Sequence, residues 1–353
     1  MINIIEINRS DFETSCPKDV PYCYSPVWLD VYANVFCYRP KYYHIMNDRS
    51  VIGVFSFVCI KSMLFGNRIV SMPLSDEGGV VLFDPSSISL EFKQEIVGQV
   101  SRLLKQEARL QNVAIIEIRG YNPLVHEYDA DKLFLKKKVY VRFVLDTGRD
   151  YNSLQANYQT NIHKNLKKAQ QHIAVDECVS VAAIPEIYNI YLLQMRQFGS
   201  PPLSIDYFSC LLESLVAKIF LAKKTGSGIV GFLLVFIYNN RMYADINASL
   251  LSYNSCFPKV FLFDESIKWA CMNGIRTYDF MRTRTGSGVY EHKKKWGGTE
   301  KPIYYYYLTT KQQRELLLDP EQSRFVLPKR ILQHMPLGGL KRIGPWIRRE
   351  AGK

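Results

Sequence analysis

The chain has 353 residues, enough for two domains of ordinary size or one large one, which excludes a small disulfide-stapled scaffold. Hydrophobic residues make up 47% and charged residues 22%, a composition that can bury a core and excludes a disordered chain. The formal charge of +12 favours partners that carry phosphate, or an anionic membrane surface.

The first ten residues alternate apolar and polar side chains. They lack the basic start and apolar stretch of a secretory signal, so we expect a cytoplasmic protein. The longest apolar run, residues 229–238, is far shorter than the roughly 20 residues of a membrane-spanning helix, and we expect no such helix. The eight cysteines form no CxxC pair and lie at no zinc spacing with histidine, which predicts reduced thiols and no metal site.

The predicted secondary structure repeats along the chain. Strands are predicted over residues 2–7, 42–46, 51–60, 68–72 and 113–119, with a long helix over residues 89–111 before the last. Helices follow over 151–172, 185–198 and 204–217, then strands over 218–223, 229–238 and 241–248, a helix over 259–272, and strands over 277–280 and 303–308. Each half therefore places antiparallel strands before one helix and one further strand. This order predicts two similar α/β (α+β) domains joined near residue 150.

The densest cluster of charge lies between residues 278 and 298. A predicted strand there ends in Arg282 and Arg284 and is followed by the turn Gly286-Ser287-Gly288. Free backbone N–H groups beside two guanidinium groups form a workable anion cradle. The same Thr-Gly-Ser-Gly sequence at residues 225–228 lies between two predicted strands without arginines and predicts a hairpin turn. The basic context singles out the second copy, for which the alternative is a solvated charged loop.

This segment also carries a resemblance to a known family. The run Asp279-Phe280-Met281-Arg282, followed by Gly286-Ser287-Gly288-Val289-Tyr290-Glu291-His292-Lys293-Lys294-Lys295-Trp296-Gly297, resembles the D-F-G-R-S and G-x-Y-x-F-K-x-x-W-G signature of FemAB-like proteins. These are tandem GNAT-type acyltransferases related to the enzymes that add amino acids to peptidoglycan precursors. Further matches lie at residues 71–79, 161–169 and 195–208. The resemblance covers roughly residues 20–310 and is closest to the branch found in exopolysaccharide and exosortase (PEP-CTERM) gene neighbourhoods.

The resemblance implies a domain division. Residues 1–148 and 149–312 would each form a GNAT-like domain with a mixed, mostly antiparallel sheet, the second carrying the main motif, and residues 313–353 a basic amphipathic tail. Met281, Thr283 and His292 replace the usual Gly, Ser and Phe of the family, so we expect an altered substrate pocket. No long helical hairpin is inserted between about residues 198 and 204, which weakens the expectation that the chain grips a whole tRNA.

The resemblance also implies a reaction. An aminoacyl or acyl group would be transferred to an amino group of a phosphate-bearing cell-envelope or exopolysaccharide precursor. Lys293 occupies the position of the family's F-K lysine and is the expected catalytic donor to the oxyanion of the tetrahedral intermediate. No dedicated general base is evident. The residues expected to bind substrate are Arg282, Arg284, Gly286, Ser287, Gly288, Tyr290, Asp76, Gly78, Gly79 and Lys164.

The acyl donor stays open between aminoacyl-tRNA and acyl-CoA, and no other cofactor is expected. The ordinary GNAT pyrophosphate loop would lie at residues 249–258, which contain no glycine. Two alternative functions also stay open: a CoA-dependent N-acetyl- or N-acyltransferase acting on an amino sugar or small molecule, and a noncatalytic membrane-surface binding protein. We expect tRNA only as a donor and no DNA partner, because the positive charge is not spread along an aromatic groove.

The positive charge is concentrated at the C-terminus. Residues 323–353 contain eight Lys and Arg residues and one Glu, interleaved with apolar side chains. This pattern predicts a peripheral contact with an anionic membrane at its inner face. The alternative is a tail packed on the body with its charges solvated. Deleting residues 323–353 is expected to weaken vesicle binding and to leave the rest of the protein folded.

Overall fold

The computed structural model describes residues 1–120, 134–178, 180–214, 216–308 and 326–352. The chain divides into two compact units. The first comprises Met1–Val139, Ile303–Pro320 and Trp346–Lys353, and the second comprises Tyr140–Pro302 and Glu321–Pro345. Of the described C-terminal residues, 326–345 belong to the second unit and 346–352 to the first.

The first unit is built on a mixed sheet. Its strands are β1 (Ile2–Ile7), β2 (Pro40–Asn47), β3 (Ser50–Ile60), β4 (Arg68–Val70), β5 (Val81–Leu82), β6 (Ile115–Gly120) and the second part of β13 (Thr299–Leu308). The order is β1-β2-β3-β4-β6-β13, with β5 paired to β3, and the pairs are antiparallel except for the parallel pair β4–β6. Its helices are α1 (Arg9–Ser15), α2 (Pro26–Asp30) and α3 (Leu90–Leu110).

Helix α3 makes the connection between the parallel strands β4 and β6. It begins after Ser89, whose side chain accepts a hydrogen bond from the backbone N–H of Phe92. Ile96, Val100 and Leu104 recur every four residues and are fully buried in the core of the first unit. Burial of each such side chain contributes about 1.5–3 kcal/mol, so the apolar face of α3 fixes it against the sheet.

The second unit repeats this plan. Its strands are the second part of β7 (Leu135–Asp146), β8 (Ala174–Cys178), β9 (Ala217–Lys224), β10 (Gly228–Tyr238), β11 (Arg241–Ser249) and β12 (Thr277–Arg284). The order is β8-β9-β10-β11-β12-β7, antiparallel except for the parallel pair β11–β12. Its helices are α4 (Tyr151–Gln155), α5 (Thr160–Gln170), α6 (Ile184–Phe198), α7 (Ile205–Glu213), α8 (Pro258–Met272), α9 (Gly288–Lys294), α10 (Val326–His334) and the first part of α11 (Leu337–Ala351).

The predicted repeat is confirmed. In each unit an antiparallel group of strands leads through one long helix, α3 or α8, into a strand that pairs in parallel, and that strand has an antiparallel neighbour on its other side. The hairpin predicted at residues 225–228 joins β9 to β10. None of the helices in the described ranges combines the length and the apolar character that crossing a membrane requires.

One predicted helix is corrected, and three strands, β5, β7 and β8, were not among the predicted elements. The helix expected over residues 151–172 is two helices, because the backbone N–H of Gln159 leaves the helical pattern and donates to Lys295 O at 2.9 Å. Strand β7 was not predicted, since residues 136–138 are three consecutive lysines that interrupt its apolar alternation.

Trp296 is a fully buried part of the core of the second unit. This side chain is fully buried, and its ring lies 4.9 Å from Tyr158, 5.7 Å from Phe263 and 5.9 Å from Phe280, measured between ring centroids. Aromatic pairs at these separations add to the stabilisation from burial. Trp296 is thus a packing residue that fixes the segment after α9 onto β12 and α8.

The C-terminal residues are seated in the first unit by two buried arginines. Arg68 donates to Glu350 O at 2.6 Å and to Ala351 O at 2.9 Å, and Arg119 donates to Gly352 O at 2.9 Å. The two arginines are 2% and 1% exposed. Deleting residues 323–353 would remove these acceptors, so we expect the deletion to destabilise the first unit as well, because buried guanidinium groups that lose acceptors are costly.

Candidate active site in the second unit

The parallel strands β11 and β12 separate soon after they begin. They pair only over residues 241–243 and 277–279. Beyond these residues β11 pairs with β10 alone and β12 with β7 alone. Asp245 is an extra residue in β11 opposite β10, and the β12–β7 register shifts between Asp279 and Arg282. Irregularities of this kind bend strands and redirect side chains, and here both lie where the strands part.

The irregularity in β12 is held by one carboxylate. The side chain of Asp279 is fully buried, and its Oδ1 accepts the backbone N–H of Met281 at 2.8 Å. Its Oδ2 accepts from Nη1 of Arg142 at 2.9 Å, a residue 1% exposed. This ion pair joins two residues that are 137 positions apart in the chain.

Met281 occupies a left-handed backbone conformation, with φ of 58°. Glycine adopts this conformation without steric cost, whereas a side chain with a Cβ is disfavoured there by about 1–2 kcal/mol. This positive φ explains physically why the FemAB-like signature has Gly at this position. In this chain, the hydrogen bond to Asp279 holds the strained residue in place.

Lys293 lies on α9 and is 8% exposed. Its ammonium donates to three consecutive backbone carbonyls of β12: Phe280 O at 2.5 Å, Met281 O at 3.1 Å and Arg282 O at 3.2 Å. An ammonium has three N–H donors, and three acceptors are in reach. Lys293 therefore joins α9 to the irregular part of β12 and brings a buried positive charge to the point where β11 and β12 separate.

The predicted anion cradle is a capped turn. Gly286 has φ of 75°, and Ser287 is the N-cap of α9: its Oγ donates to Arg284 O at 2.8 Å and accepts the N–H of Tyr290 at 3.1 Å. The hydroxyl of Ser287 is thus engaged in the turn itself, whereas Gly288 has open space beside it, with nothing within 4 Å of a Cβ built there.

Three predicted binding residues flank this turn. The guanidinium of Arg282 lies 5.3 Å from the ring centroid of Tyr140, a cation–π distance. The hydroxyl of Tyr290 donates to Glu300 at 2.7 Å, and Arg284 is half-buried near the end of β12. The structure therefore gathers the predicted residues of segment 282–293 into one strand, turn and helix.

The remaining predicted residues lie outside this segment of the chain. Lys164 is exposed on α5 of the second unit. Asp76, Gly78 and Gly79 belong to the first unit and are buried there. Asp76 accepts from the hydroxyl of Tyr305 at 3.1 Å, and a Cβ at Gly78 would lie 2.8 Å from Ser71 O. These contacts give the segment a defined packing role within its own unit.

Sequence reasoning missed a lysine on the first turn of α8. The ammonium of Lys259 donates to Oε1 of Gln194, and no carboxylate in the described part of the chain forms an ion pair with it. Burial lowers the pKa of Lys259 to about 8. Gln194 donates in turn to Asn247 O at 3.0 Å, on β11 just beyond the point of separation. No motif signals this residue; its partners come from α6 and β11.

His292 lies on α9 among positive charges. Burial, followed by the charges of Lys295, Lys293 and Lys259, lowers its pKa to about 4, so the imidazole is neutral at physiological pH. Its ring centroid lies 6.1 Å from that of Trp296.

Two carboxylates also lie where the strands part: Asp279 is bound to Arg142, and the half-buried Asp245 accepts from the hydroxyl of Tyr207 at 2.7 Å. Both are thus engaged by protein groups, while Lys293 and Lys259 bring positive charge to the same region. Such an arrangement favours a ligand or an intermediate that carries negative charge.

Comparisons with known proteins agree with this geometry. Residues 156–294 match the family described as Acetyltransferase (GNAT) domain. No curated protein matches the chain in sequence. The matched residues contain β9 to β12, α8 and α9, and so include the separated strands and Lys293.

Solved structures share the fold. FemX has a TM-score of 0.64 at 13% identity, and the match covers 90% of this chain and 99% of FemX. A tandem GNAT protein from the clavulanic acid biosynthesis pathway has a TM-score of 0.56 at 8% identity, over 87% of this chain and 98% of that one. L-PGS from Bacillus licheniformis has a TM-score of 0.51 at 13% identity, over 84% and 90%. The likeness is one of fold, and the predicted tandem GNAT-like architecture is confirmed.

Proposed function

We propose that this chain, whose residues 156–294 match a GNAT acetyltransferase domain, is an acyltransferase that moves an aminoacyl or acyl group onto an amino group of a phosphate-bearing cell-envelope or exopolysaccharide precursor. The observation that carries the proposal is the separation of β11 from β12 with the buried ammonium of Lys293 beside it. The nature of the precursor rests on the FemAB-like resemblance of segment 279–297, and membership of the exosortase-associated branch stays a prediction.

The chemistry sets what the site must supply. The acceptor amine attacks the acyl carbon and forms a C–N bond, while negative charge collects on the former carbonyl oxygen. Collapse of this intermediate breaks the bond to the oxygen or sulfur of the donor, and the amine proton leaves to that atom or to water. A fixed positive charge near the oxygen lowers the barrier, and such a donor is typically worth about 10²–10³-fold in rate.

Lys293 is the proposed source of that charge. In the free protein its ammonium holds three backbone carbonyls, of which Arg282 O is the most distant at 3.2 Å. Donation to the oxyanion would replace this longest hydrogen bond and keep the other two. Because Lys293 as a whole is only 8% exposed, little water screens its charge.

The phosphate of the precursor is assigned to the arginines of β12. Arg282 and Arg284 follow the irregularity in the strand, and both are half-buried. Arginine forms two parallel hydrogen bonds to a phosphate, which fixes its orientation as well as its position.

A matched set of strains tests the function. Envelope and polysaccharide precursors are compared by mass spectrometry in cells with the gene, without it, and with Lys293→Ala. Lys294→Ala is the control, because Lys294 is the exposed neighbour on the same helix. We expect an added mass equal to one acyl or aminoacyl group with the wild type and with Lys294→Ala only. Identical precursor masses in all four strains would reject the proposal.

The donor is tested with purified protein. Release of free CoA thiol from acyl-CoA in the presence of extracted precursors would assign a CoA donor, whereas transfer of radiolabel from aminoacyl-tRNA would assign the other. The segment before α8 supports a donor other than CoA, because it forms a 3₁₀ helix over Leu251–Cys256 and has no glycine where the ordinary pyrophosphate loop would lie.

A further inference from the structure

The charged residues of helices α10 and α11 are distributed unevenly between the solvent-facing and the buried sides. Residues 326–352 contain six Lys and Arg residues and one acid, Glu350. Glu350 is 7% exposed, and its Oε2 accepts the backbone N–H of Met63 at 3.0 Å in the first unit. The solvent-facing side of these helices therefore carries cations and no acid.

The inner side of α10 and α11 is seated on the second unit by close contacts. Leu332 and Leu340 are buried, and a Cβ at Gly344 would lie 2.2 Å from Cδ of Pro202. Nε2 of Gln333 donates to Gln197 O at 3.1 Å. The two helices are thus part of a packed surface and not a loose, solvated extension.

The outer side of α10 exposes apolar side chains between cations. Val326, Leu327 and Ile331 are 50%, 67% and 53% exposed, and they share the face opposite the buried Leu332 with Arg330. Burying hydrophobic side chains that are this exposed against an apolar partner lowers the free energy of the system.

The outer side of α11 repeats the combination. Lys341 and Arg342 are exposed, next to Ile343 at 44% exposure, and the ammonium of Lys341 also lies 5.9 Å from the ring centroid of Tyr188. Phe198, at the end of the neighbouring α6, is 52% exposed, and Gly199 after it packs against Lys329 O.

We propose that the outer sides of α10 and α11, represented by Val326, Leu327, Arg330, Ile331, Lys341 and Arg342, dock on an anionic lipid bilayer. The charge complementarity favours this occupant: basic side chains meet the negative headgroups, and the apolar side chains between them enter the headgroup boundary. The surface is preformed, because the helices are already folded and seated. The proposal does not depend on the transfer chemistry, and its test does not use activity.

The experiment uses the full-length protein and sedimentation with vesicles. Vesicles of phosphatidylcholine alone are compared with vesicles of phosphatidylcholine mixed with phosphatidylglycerol. We expect binding to the mixed vesicles only, and a steep loss of binding in high salt, since screening weakens attraction between exposed charges. The triple variant Arg330→Gln/Lys341→Gln/Arg342→Gln should bind at least about 10-fold more weakly, because each basic side chain adds separately to the attraction.

Two further variants separate the contributions. Leu327→Ser/Ile331→Ser keeps every charge of α10 and should also lose binding, because its apolar insertion is removed. Arg102→Gln/Lys105→Gln removes two exposed cations from α3 of the first unit and should bind as the wild type does. Thermal unfolding of each variant confirms that it is folded before it is compared.

Three results would overturn the proposal: equal binding to neutral and mixed vesicles, unchanged binding of the charge variant, or no binding of the wild type. Binding to soluble polyglutamate without binding to mixed vesicles would also overturn it, and would assign this surface to an acidic macromolecule.

Discussion

At the scale of single residues, Lys293 combines a structural contact with a proposed catalytic one. Its ammonium gathers Phe280 O, Met281 O and Arg282 O, acceptors that lie 11 to 13 residues before it in the chain. The same geometry fixes the charge in position, and a fixed charge is what stabilises an oxyanion without reorganisation. We therefore expect a change at this residue to affect both stability and rate.

Replacing Lys293 by Ala should lower kcat by about 10²–10³-fold, because the oxyanion loses its donor. It should also lower the melting temperature, because three backbone carbonyls lose their hydrogen-bond donor. Substrate binding should remain measurable by calorimetry. Lys294→Ala is the control, expected to change neither quantity. Near-normal kcat in a folded Lys293→Ala protein would remove Lys293 from the catalytic role.

Lys259 gives a prediction about pH. Its pKa of about 8 in the folded protein lies below the usual 10.5, so between these values the unfolded chain binds more protons than the folded one. Stability from this residue therefore rises with pH across that window. The free energy of unfolding of the wild type, minus that of Lys259→Gln, should increase from pH 8 to about pH 10.

Urea unfolding at several pH values measures this difference. Lys268→Gln on the same helix is the control for the loss of one positive charge, because its side chain is 45% exposed. A difference between the wild type and Lys259→Gln that does not change with pH would show that the Lys259 ammonium is solvated in the folded protein.

At the scale of elements, the irregularity in β12 depends on the buried pair of Asp279 and Arg142. One carboxylate oxygen fixes Met281 and the other neutralises the arginine. Burial makes this pair costly to break, because the partner left behind is a charge with little water around it. Lys293 is hydrogen-bonded to the same strand, so the Asp279–Arg142 pair also stabilises the strand that positions Lys293.

Asp279→Ala should therefore lower the free energy of unfolding by about 3–5 kcal/mol. Asp176→Ala is the matched control: its pair with Lys223 is as short, at 2.8 Å, but the side chains are 54% and 46% exposed. Exposed pairs contribute about 1 kcal/mol or less, so the control should change little. Equal losses in denaturant titrations of the two variants would contradict the role given to burial.

At the scale of the whole molecule, the last residues of the described chain complete the first unit. Gly352 has φ of 64°, and a Cβ there would lie 2.4 Å from Cδ1 of Ile60, a buried side chain. Arg119, which donates to Gly352 O, also donates to Glu117 at 2.7 Å. The C-terminus is therefore built into the core of the unit that contains residues 1–139.

Gly352→Ala should cost about 1–3 kcal/mol, because it combines a disfavoured backbone conformation with overpacking. Gly338→Ala is the control, since it lies in α11 with nothing within 4 Å of the new Cβ. Alanine there should be neutral or should stabilise by about 0.4–1 kcal/mol. Melting temperatures that fall equally for both variants would show that the packing of Gly352 against Ile60 is unimportant for stability.

The sequence determined the order of the elements and the location of the main motif. Periodicity and turn residues are local signals, and they predicted the strands from β1 to β4, the helix α3 and the strands β9 to β12 within a few residues. They missed β5, β7 and β8; at β7, three consecutive lysines interrupt the apolar alternation. The motif around Lys293 was recognisable because its residues are close in the chain.

Tertiary structure decided the partners of these residues. Asp279 pairs with Arg142, Lys259 with Gln194, and Arg68 with the carbonyls of Glu350 and Ala351, across 137, 65 and more than 280 positions of sequence. A local pattern gives each residue its element and its face, but which distant charge meets it depends on how the strands and helices pack. Packing likewise decided that the basic C-terminal residues form two helices that contact the rest of the protein, with their one acidic residue in the described range, Glu350, buried.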